Sequence, residues 1–392
     1  MITALAVENY RSLRQLAVGL RRINVITGSN GSGKSSLYRA LRLLSEASRN
    51  GVVSALARQG GLPATLWAGP EHIGRSVRDG SHPVQGTART GPVSMKLGFA
   101  TEQFGYAMDL GLPKLAPTAF QLDPEIKREV VFAGPVLRPA TMLTDRANLT
   151  VRLRASGGGW EVATDQLRPY DSMLSELADP QRAPELLTLR DEMRSWRFYD
   201  NVRTDPGSPA RAPQIGTRTP VLSHDGADLA AALQTIRELG DAAALDDAVD
   251  RALPGSQVTV HSDGGRFELE LHQHGLLRPL GGADLSDGTL RYLVLIAALL
   301  TPAPPSLLIL NEPETSLHPE LLPALADLIQ DAAERTQVIV VTHSRPLAAA
   351  LDRSAAERDG DIALIELAKE FGETTVVGQG RLDGPPWQWP KR

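Results

Sequence analysis

The sequence predicts an α/β protein with a parallel core sheet, an antiparallel β-subdomain and a helical insertion. Three observations carry this. A strand pattern near the N-terminus runs into a glycine-rich loop, Gly28-Ser-Asn-Gly-Ser-Gly-Lys34-Ser35, and then into a stretch with helical spacing at Leu37, Ala40, Leu41 and Leu44. The last third alternates helix (289–300, 319–333) with apolar strands (307–310, 338–341). Strands that are apolar without alternation belong to a parallel sheet covered on both faces. Between these ends, residues 93–163 break into short strand-like runs (93–99, 104–108, 129–132, 149–153), the pattern of an antiparallel section.

Residues 1–27 read as two strands. The first, 3–8, closes in a turn at Tyr10, Arg11 and Ser12; the second, made of 16–20 and 23–26, runs into the glycine loop. Strand, glycine loop and helix in that order is the context a phosphate loop requires. Residues 69–92, rich in Gly, Pro, His, Ser and Arg, read as a long loop. Beyond the antiparallel section, 170–200 reads as helix, 201–213 as a loop around Pro206, Pro209 and Pro213, 227–239 as helix, and 257–260 and 267–271 as strands. A helix after 341 and a hairpin, 362–366 with 374–377, follow. The expected organisation is one discontinuous domain over 1–392: a nucleotide-binding core from 1–60 and 280–392, the β-subdomain at 93–165 and the helical insertion at 166–255. Internal repeats and sustained heptads are absent from the pattern.

With 42% hydrophobic and 22% charged residues the chain can bury a real core, the balance of a soluble globular protein. Its longest apolar candidate, 292–300, is far too short to span a bilayer. The N-terminus lacks a basic start followed by an apolar stretch and a cleavage site. The absence of cysteine excludes disulfides, thiolate metal sites and cysteine nucleophiles. All of this fits the cytoplasm. A net charge of −5 argues against a strongly basic nucleic-acid coat and leaves room for a local basic face.

The chemistry starts at the glycine loop. Glycines let the backbone curl so that its N–H groups point at phosphate oxygens, and the following helix adds its positive N-terminal end. Gly28, Ser29, Asn30, Gly31, Ser32, Gly33, Lys34, Ser35 and Ser36 are therefore the expected nucleotide-binding set, with Lys34 on the β- and γ-phosphates and Ser35 as a Mg²⁺ ligand. The strand 307–310 delivers Asn311 and Glu312 at its C-terminal end, where open α/β sheets bind ligands. Glu312 is placed to orient an attacking water or take its proton. His343, in Thr342-His343-Ser344, ends the next strand, where a neutral imidazole can meet the γ-phosphate or that water. Strand-end polar turns and histidines are common structural features; the phosphate loop is what gives these two their chemistry. Leu285-Ser-Asp-Gly-Thr289 opens a helix, so Ser286 reads either as an ordinary N-cap or as an anion-binding group.

Together these pieces resemble the ABC-type ATPases, in their RecF/SMC/OLD-like branch. The loop resembles Walker A, residues 285–289 the signature motif, 307–312 Walker B with its catalytic glutamate, Glu314-Thr-Ser-Leu-His-Pro319 the D-loop, and His343 the switch histidine. Glu8-Asn-Tyr-Arg-Ser-Leu13 is similar to the branch's N-terminal segment, and Ser223-His-Asp-Gly-Ala-Asp-Leu229 to its middle region. The resemblance is strong at both ends of the chain and weak in the middle. It implies a P-loop NTPase fold (an ABC-ATPase head), ATP and Mg²⁺ as cofactors, and Glu312 and His343 as catalytic residues. It also implies a homodimer on ATP binding, two heads sandwiching two nucleotides, with Ser286 and Gly288 completing the partner's site and Arg11 among the nucleotide-binding residues. The family's Walker B ends in Asp-Glu; here it is Asn311-Glu312. Asn311 keeps an oxygen for the metal side but loses a charge, so weakened Mg²⁺ support and slow turnover are expected. The Q-loop residue is open among Gln85, Gln103 and Gln166.

Spacing narrows the class. The interval from Gly33 to Leu285 is longer than a transporter ATPase resembling this family needs. Without heptads there is no SMC-like arm, and the residues after His343 are too few for an OLD-like Toprim nuclease. The lack of an Asn-Lys-x-Asp element disfavours a G-protein. Two readings follow: an ATPase of DNA metabolism, repair or anti-phage defence, with DNA as candidate partner through Arg11, Arg14, Arg21, Arg22, Arg39 and Arg42; or an ATP-binding regulatory or scaffold switch gating a separately encoded effector, which Asn311 motivates. Neither involves a membrane.

Overall fold

The structure, a computed structural model, describes residues 1–69, 92–113, 119–155, 157–200, 202–380 and 383–392. The expected loop at 69–92 lies outside these except for its ends. The chain forms two compact units: Met1–Arg21, Gly28–Ser195 and Ile365–Arg392 make the first, and Arg22–Thr27 with Trp196–Leu364 the second. The segment expected as a β-subdomain, 93–165, falls in the first unit, and the segment expected as a helical insertion, 166–255, is divided between the two units after Ser195.

The first unit is built on an eight-stranded sheet. β1 (Ile2–Tyr10) and β2 (Leu13–Gly19) form a hairpin whose turn holds Arg11 at φ 52°, and β1 pairs antiparallel on its other side with β4 (Met95–Thr101). From there the sheet is an antiparallel meander: β5 (Phe104–Gly111), β6 (Glu125–Ala133), β7 (Met142–Ala147), β8 (Thr150–Arg154) and β9 (Trp160–Thr164). Helix α1 (Lys34–Ala47) buries Leu37, Ala40, Leu41 and Leu44, the stripe its spacing predicts, and α2 (Val52–Ala57) and α3 (Gly61–Thr65) follow it. α4 (Met173–Glu176) and α5 (Pro184–Ser195) complete the unit's helices among the described residues. α4 is fastened to the sheet by Glu129. That fully buried carboxylate accepts from Tyr106 Oη at 2.6 Å and from the Met173 N–H at 2.9 Å, and pairs with Arg146 at 3.1 Å. Burial and the adjacent carboxylate push the Tyr106 phenol well above its usual pKa.

The second unit holds a parallel sheet in the order β10 (Arg197–Tyr199), β15 (Leu307–Asn311), β16 (Gln337–Val341), β3 (Ile23–Gly28). Every residue of β16 is buried, as a strand covered on both faces must be. Helices α6 (Leu229–Leu239), α7 (Ala242–Ala252), α8 (Asp287–Leu299), α9 (Leu322–Ala333) and α10 (Arg345–Glu357) pack into one apolar core with these strands. α8 is buried all round from Leu290 to Leu299 and forms its centre. A small antiparallel sheet places β13 (Arg266–Gln273) beside β12 (Ser256–Asp263), β11 (Gln214–Ile215) and β14 (Leu280–Gly281). β17 (Ile362–Glu370) starts in this unit and ends in the first, where it forms a hairpin with β18 (Glu373–Val376).

Two local expectations are corrected. The strand expected across 16–26 is two strands, β2 and β3. The Leu20 N–H closes on the Thr3 carbonyl, and the next pairing begins when the Arg22 carbonyl accepts from Val338, so the exposed Arg21–Arg22 step changes the chain's sheet. The helix expected over 170–200 is α4, α5 and the short strand β10. Trp196, Phe198 and Tyr199 are buried, and β10 is drawn into strand by its parallel pairing with β15.

Candidate nucleotide site

In the first unit the glycine loop has the backbone its sequence requires. Gly28, Gly31 and Gly33 sit at φ 145°, 79° and 111°, where a Cβ is strained. Ser32 N–H donates to the Ser29 carbonyl at 3.1 Å, and the Gly33 carbonyl receives the first α1 bonds from Ser36 and Leu37, each at 3.0 Å. Lys34, only 8% exposed, folds back over the loop, its Nζ donating to the carbonyls of Gly28 at 2.6 Å and Ser29 at 3.1 Å. The ammonium is thereby fixed at the loop's centre. Ser29, Asn30 and Ser35 are exposed and Ser36 half-buried. Arg11 is held elsewhere in its turn: Nη2 donates to Gln59 Oε1 at 2.9 Å, and the guanidinium lies 5.6 Å from the Tyr10 ring centroid. Its neighbour Ser12, not singled out by the sequence, is the residue that approaches the loop, 3.5 Å from Ser36 Oγ. Gln103 lies exposed in the β4–β5 turn and Gln166 exposed after β9; Gln85 lies outside the described residues.

In the second unit three parallel strands end level. Val341 is the register partner of both Asn311 and Ile26, and Thr342 N–H donates to the Ile26 carbonyl at 3.0 Å. The glycine loop begins covalently at this carboxyl edge, directly after Thr27. Glu312 turns out of β15 in the left-handed region, φ 48°, its N–H donating to the Val341 carbonyl at 2.7 Å. His343 Nδ1 lies 3.5 Å from Glu312 Oε1 and 3.6 Å from Glu314 Oε1. Glu314, almost buried, also accepts from the Thr342 hydroxyl, and that hydroxyl accepts from the Ser344 N–H at 2.9 Å. The structure thus brings Glu312 and His343 together and adds Glu314, whose second carboxylate oxygen is buried without a partner among the described residues.

Ser286 caps α8 in the ordinary way, Oγ accepting from Thr289 N–H at 3.1 Å. Gly288 has a steric reason: a Cβ there would stand 2.6 Å from the Ser316 carbonyl oxygen in the turn after Glu314. Two buried arginines that sequence reasoning missed hold this region. Arg211 donates to the carbonyls of Gly282 at 3.0 Å and Leu285 at 2.6 Å and pairs with Asp287 at 2.7 Å. Arg291 donates to the carbonyls of Val202 at 3.1 Å and Glu312 at 3.3 Å; burial pulls its pKa down. The visible signal for Arg291 was a lone charge in the apolar run of α8. The middle segment is a turn before α6, where Asp228 accepts from Ser223 N–H at 2.9 Å and Oγ at 2.6 Å.

A curled glycine loop that follows a parallel strand and holds a lysine ammonium at its centre is the arrangement of a P-loop NTPase. The chain belongs to the AAA_21 family, described as "AAA domain, putative AbiEii toxin, Type IV TA system", whose model matches residues 23–350. No curated protein matches the chain significantly. Among solved structures it is similar to an SMC head bound to the C-terminal winged-helix domain of ScpA (15% identity, TM-score 0.49, 96% of each chain covered). It is also similar to the SMC head domain from Thermotoga maritima (14% identity, TM-score 0.44, 96% of this chain and 98% of that one). A third is an SMC head with an extended coiled coil, bound to the C-terminal domain of ScpA, from Pyrococcus furiosus (13%, TM-score 0.49, 96% and 95%). No helix among the described residues is long and apolar enough to cross a membrane.

Proposed function

We propose that the chain binds ATP with Mg²⁺ at residues 28–36, hydrolyses it slowly, and closes as a head-to-head homodimer when ATP binds, acting in the cytoplasm in DNA metabolism, repair or anti-phage defence. The observation that carries this is the carboxyl edge of β3, β15 and β16: Ile26, Asn311 and Val341 lie level, Glu312 stands 3.5 Å from His343, and the phosphate loop starts one residue after Thr27. In this reading Lys34 exchanges the Gly28 and Ser29 carbonyls for β- and γ-phosphate oxygens. Glu312 takes the proton of the attacking water, and His343, flanked by two carboxylates, orients that water or the γ-phosphate. Ser286 and Gly288 serve the partner's nucleotide.

The residues fit Mg²⁺ in kind. The Ser35 hydroxyl, exposed at the start of α1, and the Asn311 amide oxygen are hard donors, and such a site needs few protein ligands besides phosphate oxygens. The ion would neutralise charge on the phosphates. Light scattering of Glu312→Gln with and without ATP tests the dimer: a doubled mass with ATP is expected, and a monomer under both conditions sinks the sandwich. Of the arginines that suggested DNA, Arg11 is engaged with Gln59 and Arg14 with Glu373, at 3.1 Å. A gel shift that is ATP-dependent and falls steeply with salt is expected for a clamp on duplex DNA; one indifferent to ATP counts against it.

Asn311 favours a second reading, an ATP-binding switch with little hydrolysis that gates a separately encoded effector. Robust wild-type turnover, abolished by Lys34→Ala, removes it.

A further inference from the structure

The hairpin of β17 and β18 meets the glycine loop within the first unit. The Leu367 carbonyl oxygen is so close to Gly28 that a Cβ there would stand 2.3 Å from it, and a Cβ on Gly33 would stand 2.1 Å from Thr374 Oγ1. The loop's first and last glycines are therefore required by this contact as well as by their φ angles. Thr374 is 1% exposed. Its Oγ1 lies 2.8 Å from the Ser32 carbonyl oxygen and 2.8 Å from Ser12 Oγ, and its N–H donates to the Ser12 carbonyl at 2.8 Å. A carbonyl can only accept, so the single hydroxyl proton of Thr374 goes to Ser32, and Ser12 supplies the proton of the second contact. Ser36 Oγ, 3.5 Å beyond Ser12, continues the row of hydroxyls to the first turn of α1. The Arg14–Glu373 ion pair at 3.1 Å holds the hairpin against β2 one residue before Thr374.

We infer that Thr374 is a positioning residue of the nucleotide site. Its hydroxyl, held by Ser12, fixes the Ser32 peptide plane, and so the direction of the N–H of Gly33 on the other side of that peptide. In a phosphate loop those N–H directions are the binding surface. A residue far along the chain thus sets the geometry of a loop near its start, and Ser12 in the β1–β2 turn acts through it. The inference rests on the proposed ATP binding.

The test is titration of a fluorescent ATP analogue with Mg²⁺ into the full chain, as wild type, Thr374→Val, Thr374→Ser and Ser12→Ala, with thermal melting of each. Valine keeps the volume and removes the hydroxyl; serine keeps the hydroxyl. Loss of one buried hydrogen bond that orients binding groups is expected to weaken binding about tenfold in Thr374→Val. Thr374→Ser stays within about threefold of wild type, and Ser12→Ala falls between them on the same scale. If valine and serine variants bind alike, whether both weakly or both well, the hydroxyl has no positioning role and the inference fails. Should Thr374→Val not fold, an unchanged affinity in Ser12→Ala overturns the inference alone. A wild type that binds no ATP removes the functional reading itself, and the inference with it.

Discussion

The glycine loop and the strand-end cluster are specified in opposite ways. The loop is defined by missing side chains: at Gly28 and Gly33 a single added carbon would meet backbone or a buried hydroxyl at 2.3 Å and 2.1 Å. The cluster is defined by side chains whose backbone is pinned. Glu312 sits at φ 48°, its N–H held by Val341 and its carbonyl by Arg291, and so presents its carboxylate to His343. At Gly28 and Gly33 the first kind of site has no room for a side chain. The second could exchange one side chain while its frame stays, and Asn311 is the position where we propose such an exchange. In the proposed reading the difference separates binding, assigned to the loop, from turnover, assigned to the strand ends.

Variants should break the two regions independently. Lys34→Ala is the largest expected effect on binding, because it removes the charged donor at the loop's centre. Charge-assisted bonds of about 1.5–3 kcal/mol imply ATP binding weakened by roughly ten- to a hundredfold or more. Isothermal titration checks this, and unchanged affinity would detach the loop from nucleotide. Glu312→Gln should leave affinity near wild type while turnover falls about a hundredfold or more, the usual worth of a general base. A parallel loss of affinity would mean that the cluster also binds.

Asn311→Asp probes the proposed exchange itself. A carboxylate there adds one negative charge at the end of β15; in the proposed reading this is a change of about 1–2 kcal/mol that should raise turnover roughly tenfold and lower the Mg²⁺ needed for half-maximal rate. Phosphate release across a Mg²⁺ series measures both. No gain would show that Asn311 is not what limits the rate.

The same contrast explains what was legible in the sequence. The loop, the strand ends at Asn311 and Val341, and α1 and α8 could be read because each is a local pattern of glycine spacing or apolar period. The strand change at Arg21–Arg22 could not: it is set by the partners, β1 for β2 and β16 for β3. β10 hid because three residues carry no period, and its identity as strand comes from β15 beside it. β7 was missed for a related reason: Met142–Ala147 carries the buried polar residues Thr144, Asp145 and Arg146, of which Asp145 pairs with Arg128 and Arg152 on neighbouring strands and Arg146 with Glu129 and the segment 168–172. Thr374 and Ser12 were illegible because their roles are contacts made over long sequence separations, and Arg291 showed only as a lone charge, its partners Val202 and Glu312 lying far off in sequence. Sequence disclosed the loop proposed to meet phosphate and left unseen the residues that hold that loop in place.

Gly31→Ala separates the two demands on the loop's glycines and carries the smallest expected effect. Nothing stands within 4 Å of a Cβ at Gly31, unlike at Gly28 and Gly33, yet its φ of 79° lies in the left-handed region. The variant thus incurs only the conformational cost, about 1–2 kcal/mol for a non-glycine residue there. For a unit of this size that corresponds to a lower melting temperature of about 2–8 °C. Because the hairpin does not contact this position through a Cβ, the Ser32 peptide stays held by Thr374, and ATP affinity should drop less than in Thr374→Val. A Gly31→Ala protein that melts like wild type but binds ATP as poorly as Lys34→Ala would show that the loop's tip, and not the hairpin behind it, determines where the phosphate-facing N–H groups point.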